Sequence, residues 1–472
     1  MFFHKINRKL VNQLIILAAI LSGTDKAFAQ EILPDNTLPN NSQIKIENNI
    51  TKITGGTRRG GNLFHSFEKF GIPTGREAHF NNNLDVNNII NRVTGGSTSN
   101  IDGLIKANGT ANLFLINPSG IVFGKNAKLD IGGSFVGTTA NALGFGEDNF
   151  FSASNPEKSS LLTINPNALF FNQLNQKAAI KNNSVAPSGR NPSDDFTARG
   201  LRVPDGKSLL LVGGDINLDG GRLYAFGGRV ELGGLSDTGT VGLNIDGDGN
   251  KFSLKFPDAV TRSDVNLNND ARVNVRAGNG GSIAVNAQNL QINEDSELWT
   301  GIEKGLGSEQ SQAGNIDIDV TGEIKLDNES GIRNDVRSQA KGQGGDVNIN
   351  TSKLLVLNGS VIGSGTFGFG NGGNLNIQAK NIELIRGDAG ITGLFARANS
   401  NSTGNAGDLN IITNSLEVLN GASVSTSVAS DSTGDGGNLK IQTDSLVVKN
   451  GSLVNVSTRG DGKGGNLTIE AK

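Results

Sequence analysis

The chain has 472 residues, and its 42 Lys and Arg nearly balance 45 Asp and Glu, leaving a formal charge of −3. That balance argues against a nucleic-acid surface and against an acidic interaction tail. Its 66 glycines follow no strict triplet, which excludes collagen, and the lack of cysteine excludes a disulfide scaffold.

At the N-terminus, Lys5, Arg8 and Lys9 precede the apolar run 14–21, and Ala27-Phe28-Ala29 supplies small residues at both positions of an A-x-A site. The pattern predicts a Sec-type signal peptide over 1–29, cleaved between Ala29 and Gln30. The run is too short to span a bilayer, and no membrane-length apolar stretch follows it, so a soluble exported chain is expected. A chain that must cross a second membrane unfolded would be impeded by disulfides formed on the way, which suits the missing cysteines.

Residues 46–235 carry a series of separated motifs in fixed order. They begin with Gly60-Gly61-Asn62-Leu63-Phe64-His65-Ser66-Phe67 and continue with Asn88-Ile89-Ile90-Asn91-Arg92-Val93 and Ile101-Asp102-Gly103-Leu104-Ile105. A dense run, Ala111-Asn112-Leu113-Phe114-Leu115-Ile116, leads into Asn117-Pro118-Ser119-Gly120-Ile121, and Gly132-Gly133-Ser134-Phe135 follows. This block resembles the filamentous haemagglutinin N-terminal domain, the secretion domain of two-partner-secretion exoproteins. The resemblance implies recognition in the periplasm by an outer-membrane barrel transporter with POTRA domains, then passage of the rest of the chain and folding outside. It also implies that 30–260 is the secretion domain and itself β-helical.

The family's Asn-Pro-Asn-Gly-Ile motif falls on Asn117, Pro118, Ser119, Gly120 and Ile121, with Ser119 where the second Asn usually stands. Asn165-Pro166-Asn167 is a second Asn-Pro turn. Proline fixes φ and restricts the residue before it, so both sites read as rigid turns. Such turns either shape the domain or meet the transporter.

Beyond Phe256 only Phe367, Phe369 and Phe395 remain of 22 phenylalanines, which places a domain boundary near residue 260. Catalytic chemistry has little to draw on, since His65 and His79 are the only histidines after residue 29. His65 reads as a packed polar residue. Asp246-x-Asp248-x-Asn250 lacks the Gly and Glu that complete a calcium loop and is discounted. No cofactor and no metal are expected.

From Gly281 onward the sequence restarts seven times: at Gly281, Gly314, Gly345, Gly373, Gly407, Gly437 and Gly465, spaced 33, 31, 28, 34, 30 and 28 residues apart. Each unit holds three short alternating stretches, such as Leu439-x-Ile441, Leu446-x-Val448 and Val454-x-Val456, and alternation is the mark of a strand. Asn358-Gly359, Asn420-Gly421 and Asn450-Gly451 mark a tight second corner. The reading is all-β: a right-handed parallel β-helix with three strands per rung over 261–472. Spacing from first to second strand is 7 or 8 and from second to third 8, with the unit at Leu375 expected to slip by one, to Ile391. Length variation is therefore assigned to the third corner, at 396–406 and 429–436.

Two triplets, Arg386-Gly387-Asp388 and Arg459-Gly460-Asp461, have the form of an adhesion motif, although chance matches are common in turns rich in Gly and Asp. The last unit is incomplete and lacks a polar cap, which leads to the expectation of a truncated or split gene product. The functional expectation is a secreted, adhesin-like exoprotein at the cell surface or in the medium, not an enzyme, meeting cell-surface receptors or glycans. The alternative is an extracellular polysaccharide lyase or glycosidase, which requires paired carboxylates in one groove.

Overall fold

The computed structural model describes residues 31–172, 178–246, 251–388 and 390–472. The predicted signal peptide and its expected Ala29–Gln30 junction lie outside the described residues, as do 247–250 of the discounted calcium loop. Ile32–Lys472 forms one unit, and the only helix among its described residues is a 3-10 turn at Pro156–Lys158. The all-β solenoid is what the structure shows: a parallel β-helix built from three ladders.

The first ladder starts with Asn62–Phe70, Asn88–Val93 and Asn112–Ile116, and runs through Arg229–Gly234 into Ser282–Ala287 and the repeats. Its register explains the restarts. Ile283, Ile316, Val347, Leu375, Leu409, Leu439 and Leu467 form one column, each two residues after its glycine. The second column is Leu290, Ile324, Leu354, Ile382, Leu416 and Leu446. The stack passes residue 260 without interruption, because Ile216–Asp219 pairs with Val265–Asn268 and Arg229–Gly234 with Ser282–Ala287.

The third column corrects one expectation. It runs Leu298, Ile332, Ile362, Leu394, Val424 and Val454, so the core residue of the fourth unit is Leu394 and not Ile391. Ile391 is 59% exposed. From Ile382 to Leu394 the chain takes 12 residues where its neighbours take 8, so this unit carries a four-residue insertion in the second corner. Apart from it, length does vary in the third corner. The strand Gly393–Ala398 also pushes the start of that corner to 399.

A second departure is at the first corner. Ile316–Asp327, Val347–Leu357 and Leu375–Ile385 each join the first two strands into one bent strand. Inward-facing hydroxyls tie some of these bends: Thr351 Oγ1 donates to the carbonyl of Gly322 at 2.9 Å, and Thr413 Oγ1 to that of Lys380 at 3.1 Å. The second corners behave as expected, with Asn358, Asn420 and Asn450 at φ of 45°, 58° and 57°.

The repeating Gly-Asn or Gly-Asp has a steric and a polar cause. A Cβ on Gly407 would lie 1.9 Å from the carbonyl oxygen of Gly373, and one on Gly437 would lie 1.8 Å from that of Gly407. The next residue accepts a backbone N–H from the following rung: Asn374 from Asp408 at 2.9 Å, Asp408 from Asn438 at 2.7 Å, and Asn438 from Asn466 at 3.0 Å. Each rung is thereby keyed to its neighbour, which is the quasi-one-dimensional construction of solenoids.

At the N-terminal end, Ile32–Pro34 and Thr57–Arg59 run antiparallel to Asn62–Phe70 and cover the first edge. Covering an end strand removes a template for unwanted pairing. A second, antiparallel sheet lies outside the helix, in the order Asn149–Ser152, Ala142–Phe145, Ala168–Phe171, Gly239–Ile245 and Phe252–Lys255. It clads the outer face of the first ladder.

Candidate functional site

The cladding follows from the unbroken apolar runs. In Asn112–Ile116, Leu113 and Leu115 point into the solenoid core, while Phe114 and Ile116 join a second core under the outer sheet. Strands buried on both faces read as continuous hydrophobic runs. Phe64, Phe145, Phe151 and Phe252 fill this second core, with Phe64 and Phe151 ring centroids 5.0 Å apart.

Polar columns hold the sheet in place. Asn88 Nδ2 donates to Asn62 Oδ1 at 2.8 Å, and Asn112 Nδ2 donates to Asn88 Oδ1 at 3.0 Å. Asn88 Nδ2 also donates to Asn165 Oδ1 at 3.0 Å, and Asn62 Nδ2 to the carbonyl of Ile164 at 2.7 Å. The Asn165-Pro166-Asn167 turn is thus docked on the start of the first-ladder strands. Pro166 is buried, and Asn167 N–H donates to the carbonyl of Gly144 at 2.9 Å.

The other Asn-Pro turn lies at the opposite end of those strands, so the two motifs are not brought together. Asn117 is fully buried after Asn112–Ile116. Its Nδ2 donates to the Ser97 carbonyl and to Ser99 Oγ, both at 2.9 Å, and its Oδ1 accepts the Ser119 N–H at 2.9 Å. Gly120 has φ of +107°, where a side chain would be strained, and Ile121 starts the next strand with its side chain buried. Ser119 offers its carbonyl to Thr98 Oγ1 at 2.9 Å, and its side chain is half-buried.

Arg92 is the central feature that sequence reading missed. Its side chain is wholly buried. Nε donates to Ser66 Oγ at 2.8 Å, Nη1 to the Ser152 carbonyl at 2.7 Å and to Ser159 Oγ at 2.5 Å, and Nη2 to Thr37 Oγ1 at 2.8 Å. The guanidinium also lies 4.2 Å from the Phe151 ring centroid. Burial lowers its pKa to about 10, with Asp35 opposing, so it stays charged at neutral pH. Burial also works against ionising Asp35. Hydrogen bonds from Thr37, Thr94 and Ser66 outweigh it and hold the carboxyl below its ordinary range. One cation therefore ties the end-covering segment, the first two rungs and the outer sheet. The available signal was a charged residue inside the apolar run Ile89-Ile90-Asn91-Arg92-Val93.

Glu231 plays a similar part at the far end of the cladding. It pairs with Arg229 and accepts the Leu254 N–H at 2.8 Å, and burial raises its pKa against the Arg229 charge. His65 is packed against Phe67 and Phe80 with Nδ1 3.0 Å from Ser42 Oγ, and burial pushes its pKa down to about 3. The packed polar histidine read from sequence matches this environment.

The two Arg-Gly-Asp triplets occupy different corners. Arg386 and Asp388 are exposed in the second-corner insertion, and Arg459 and Asp461 are exposed in a third corner. In the first triplet Arg386 N–H donates to the Leu419 carbonyl at 3.3 Å, and in the second Asp461 N–H donates to that of Ser432 at 3.0 Å.

Fold and site define a parallel β-helix with a covered first edge and a second sheet clamped to its first rungs. The TPS secretion domain model matches residues 30–285, more than half of the chain, and the chain belongs to that family. It is an exoprotein of two-partner secretion, exported through the outer membrane. The HMW1 secretion domain from Haemophilus influenzae superposes with a TM-score of 0.51 at 17% identity, over 93% of this chain and all of that one, which supports the fold. The Heme/hemopexin-binding protein of Haemophilus influenzae is 23% identical over 251 residues, half of this chain. The chain spans about a quarter of that relative's length. A 77-residue stretch is 38% identical to ATP-binding cassette sub-family F member 3 of Homo sapiens, over 16% of this chain and 11% of that protein, too small a share for a functional reading.

Proposed function

We propose that the chain is an adhesin-like exoprotein handed to a dedicated outer-membrane barrel, through periplasmic POTRA domains, by a secretion domain over 30–260. A signal peptide over 1–29, cut between Ala29 and Gln30, delivers it to the periplasm, and 261–472 forms the shaft. The Asn117–Ile121 and Asn165–Asn167 turns serve export by fixing the first rungs in one geometry. The observation that carries this reading is the family match over the segment where Arg92 and the asparagine column lock those rungs. Each later rung makes its ladder bonds with its neighbours, so an emerging chain can add rungs one at a time, and folding outside opposes sliding back. Arg386–Asp388 and Arg459–Asp461 are candidate contacts for a cell-surface receptor.

The test is expression of the full chain with and without its barrel partner, followed by immunoblots of cells, periplasm and medium. Partner-dependent protein on the surface or in the medium is expected. Protein that stays in the periplasm in both cases, or leaves the cell without any barrel, overturns the reading.

A further inference from the structure

The four-residue insertion stands beside another irregularity of the array. On the outward face of the third ladder, Arg333, Gly363 and Phe395 are paired across three consecutive rungs, and so are Asp335, Gly365 and Arg397. At Gly363 and Gly365 the middle rung therefore has no side chains between two walls of large ones, and Val361 lines one end. The resulting trough has a volume of about 410 Å³. Phe367 stands along it at 37% exposure, and the insertion contributes Ile391 at 59% exposure. Two of the three phenylalanines beyond residue 256, the insertion and the paired glycines thus converge on one place.

The trough also holds a cation with no hydrogen-bond or ion-pair partner among the described residues. The Arg397 guanidinium lies 3.6 Å from the Phe395 ring centroid, and its Nε is buried with no acceptor. The nearby carboxylates are engaged elsewhere: Asp335 faces Arg276 at 3.6 Å, and Glu297 faces Arg333 at 3.2 Å. Burial lowers the Arg397 pKa to about 10, which leaves it charged at neutral pH. A stacked, pre-oriented guanidinium favours a planar carboxylate taken in two-point fashion. The strands beneath are paired on both sides, so an extended peptide finds no free edge to join. Recognition must come from side chains: Arg397 for a carboxylate, Asn399 for hydroxyls, and Phe367 and Ile391 for the apolar face of a ring.

We infer that this trough binds a carboxylate-bearing sugar unit of an extracellular glycan, with Arg397 as the carboxylate anchor. It goes beyond the adhesin reading by naming a site and a ligand class, and it does not depend on how the chain is exported.

The test uses the purified, folded full chain on an array of uronate-bearing oligosaccharides. Each is printed beside its carboxyl-reduced neutral counterpart, with peptides ending in free carboxylates on the same slide. Uronates are expected to be retained about tenfold better than their neutral counterparts. Arg397→Gln should remove that preference. Gly363→Val should block the trough; a Cβ there stands 3.3 Å from Phe395 O, so the neighbouring backbone must give by a few tenths of an ångström. Both variants are checked for unchanged melting. The proposal is overturned if no uronate is retained, if the neutral counterparts bind equally, if neither folded variant changes retention, or if the peptides are preferred.

Discussion

The first ladder meets two different outer environments. Between Asn62 and Gly234 its outer face is covered by a second sheet, packed with Phe64, Phe114 and Phe252 and pinned by Arg92, Asn88 and Glu231. From Ile316 onward the same face carries an uncovered polar column, in which Asn348 donates to Asp317, Asn376 to Asn348 and Asn410 to Asn376, at 2.9, 2.9 and 3.0 Å. The covered rungs gain hydrophobic burial on both faces, and apart from the asparagine column their pinning contacts are made once. The uncovered rungs reuse one set of contacts. A secretion domain that must be formed first benefits from the former, and a shaft that grows by addition benefits from the latter.

Breaking the covered region should have the largest effect. Arg92→Leu leaves the Ser152 carbonyl and the Asp35 network without their buried cation, and loss of one side of such a network costs about 3–5 kcal/mol. The expected result is a lower urea midpoint together with loss of the chain from the medium in the secretion assay. Wild-type stability would show that the cladding does not depend on Arg92.

The pH response should come from the same region. The His65 pKa is lowered from 6.5 to about 3, so the unfolded chain binds a proton that the folded chain refuses. The stabilisation is therefore complete above pH 6.5 and is lost as pH falls towards 3, by about 2–3 kcal/mol at pH 4.5. Comparing urea midpoints of wild type and His65→Gln across that window isolates the slope, which should flatten in the variant.

In the uncovered region the damage should stay local. Gly407→Ala drives a methyl to 1.9 Å from the Gly373 carbonyl oxygen, and an overpacked site of this kind costs about 1–3 kcal/mol. Hydrogen exchange should quicken at the Leu375, Leu409 and Leu439 amides while those near Phe114 stay protected. Equal loss in both regions would mean that the solenoid unfolds as one unit.

This contrast also decides what could be read from the residues. Columns at Ile283 to Leu467 were legible because a repeated environment repeats its residues, and Gly-Asn recurs wherever a rung meets its neighbour's carbonyl. The insertion before Leu394 was misread because Ile391 mimics the apolar residue due near that spacing; only the pairing of Gly393 with Val361 reveals the shift. Beyond the column Asn62, Asn88 and Asn112, the covered rungs keep no period. Arg92 meets Ser159 across 67 residues, and Ser208 N–H meets Ser134 Oγ across 74. Such pairings leave no local pattern, so that half became legible through family resemblance, and the roles of Arg92 and Glu231 did not.

The smallest expected effect tests the motif that resemblance brought forward. Asn117 supplies three side-chain hydrogen bonds inside the corner, whereas Ser119 enters that corner through its N–H and carbonyl. Asn117→Ala should cost about 1–3 kcal/mol, because the buried Ser99 hydroxyl and the Ser97 carbonyl lose their donor. Ser119→Asn restores the family residue at a half-buried turn position and should shift stability by less than about 0.5 kcal/mol. Measured together with secretion, the pair separates the two roles of the turn. If Asn117→Ala lowers export only as far as its stability loss requires, the motif acts by shaping the domain. If Ser119→Asn raises export at unchanged stability, the second asparagine meets the transporter, and this chain has kept the turn while giving up part of that contact.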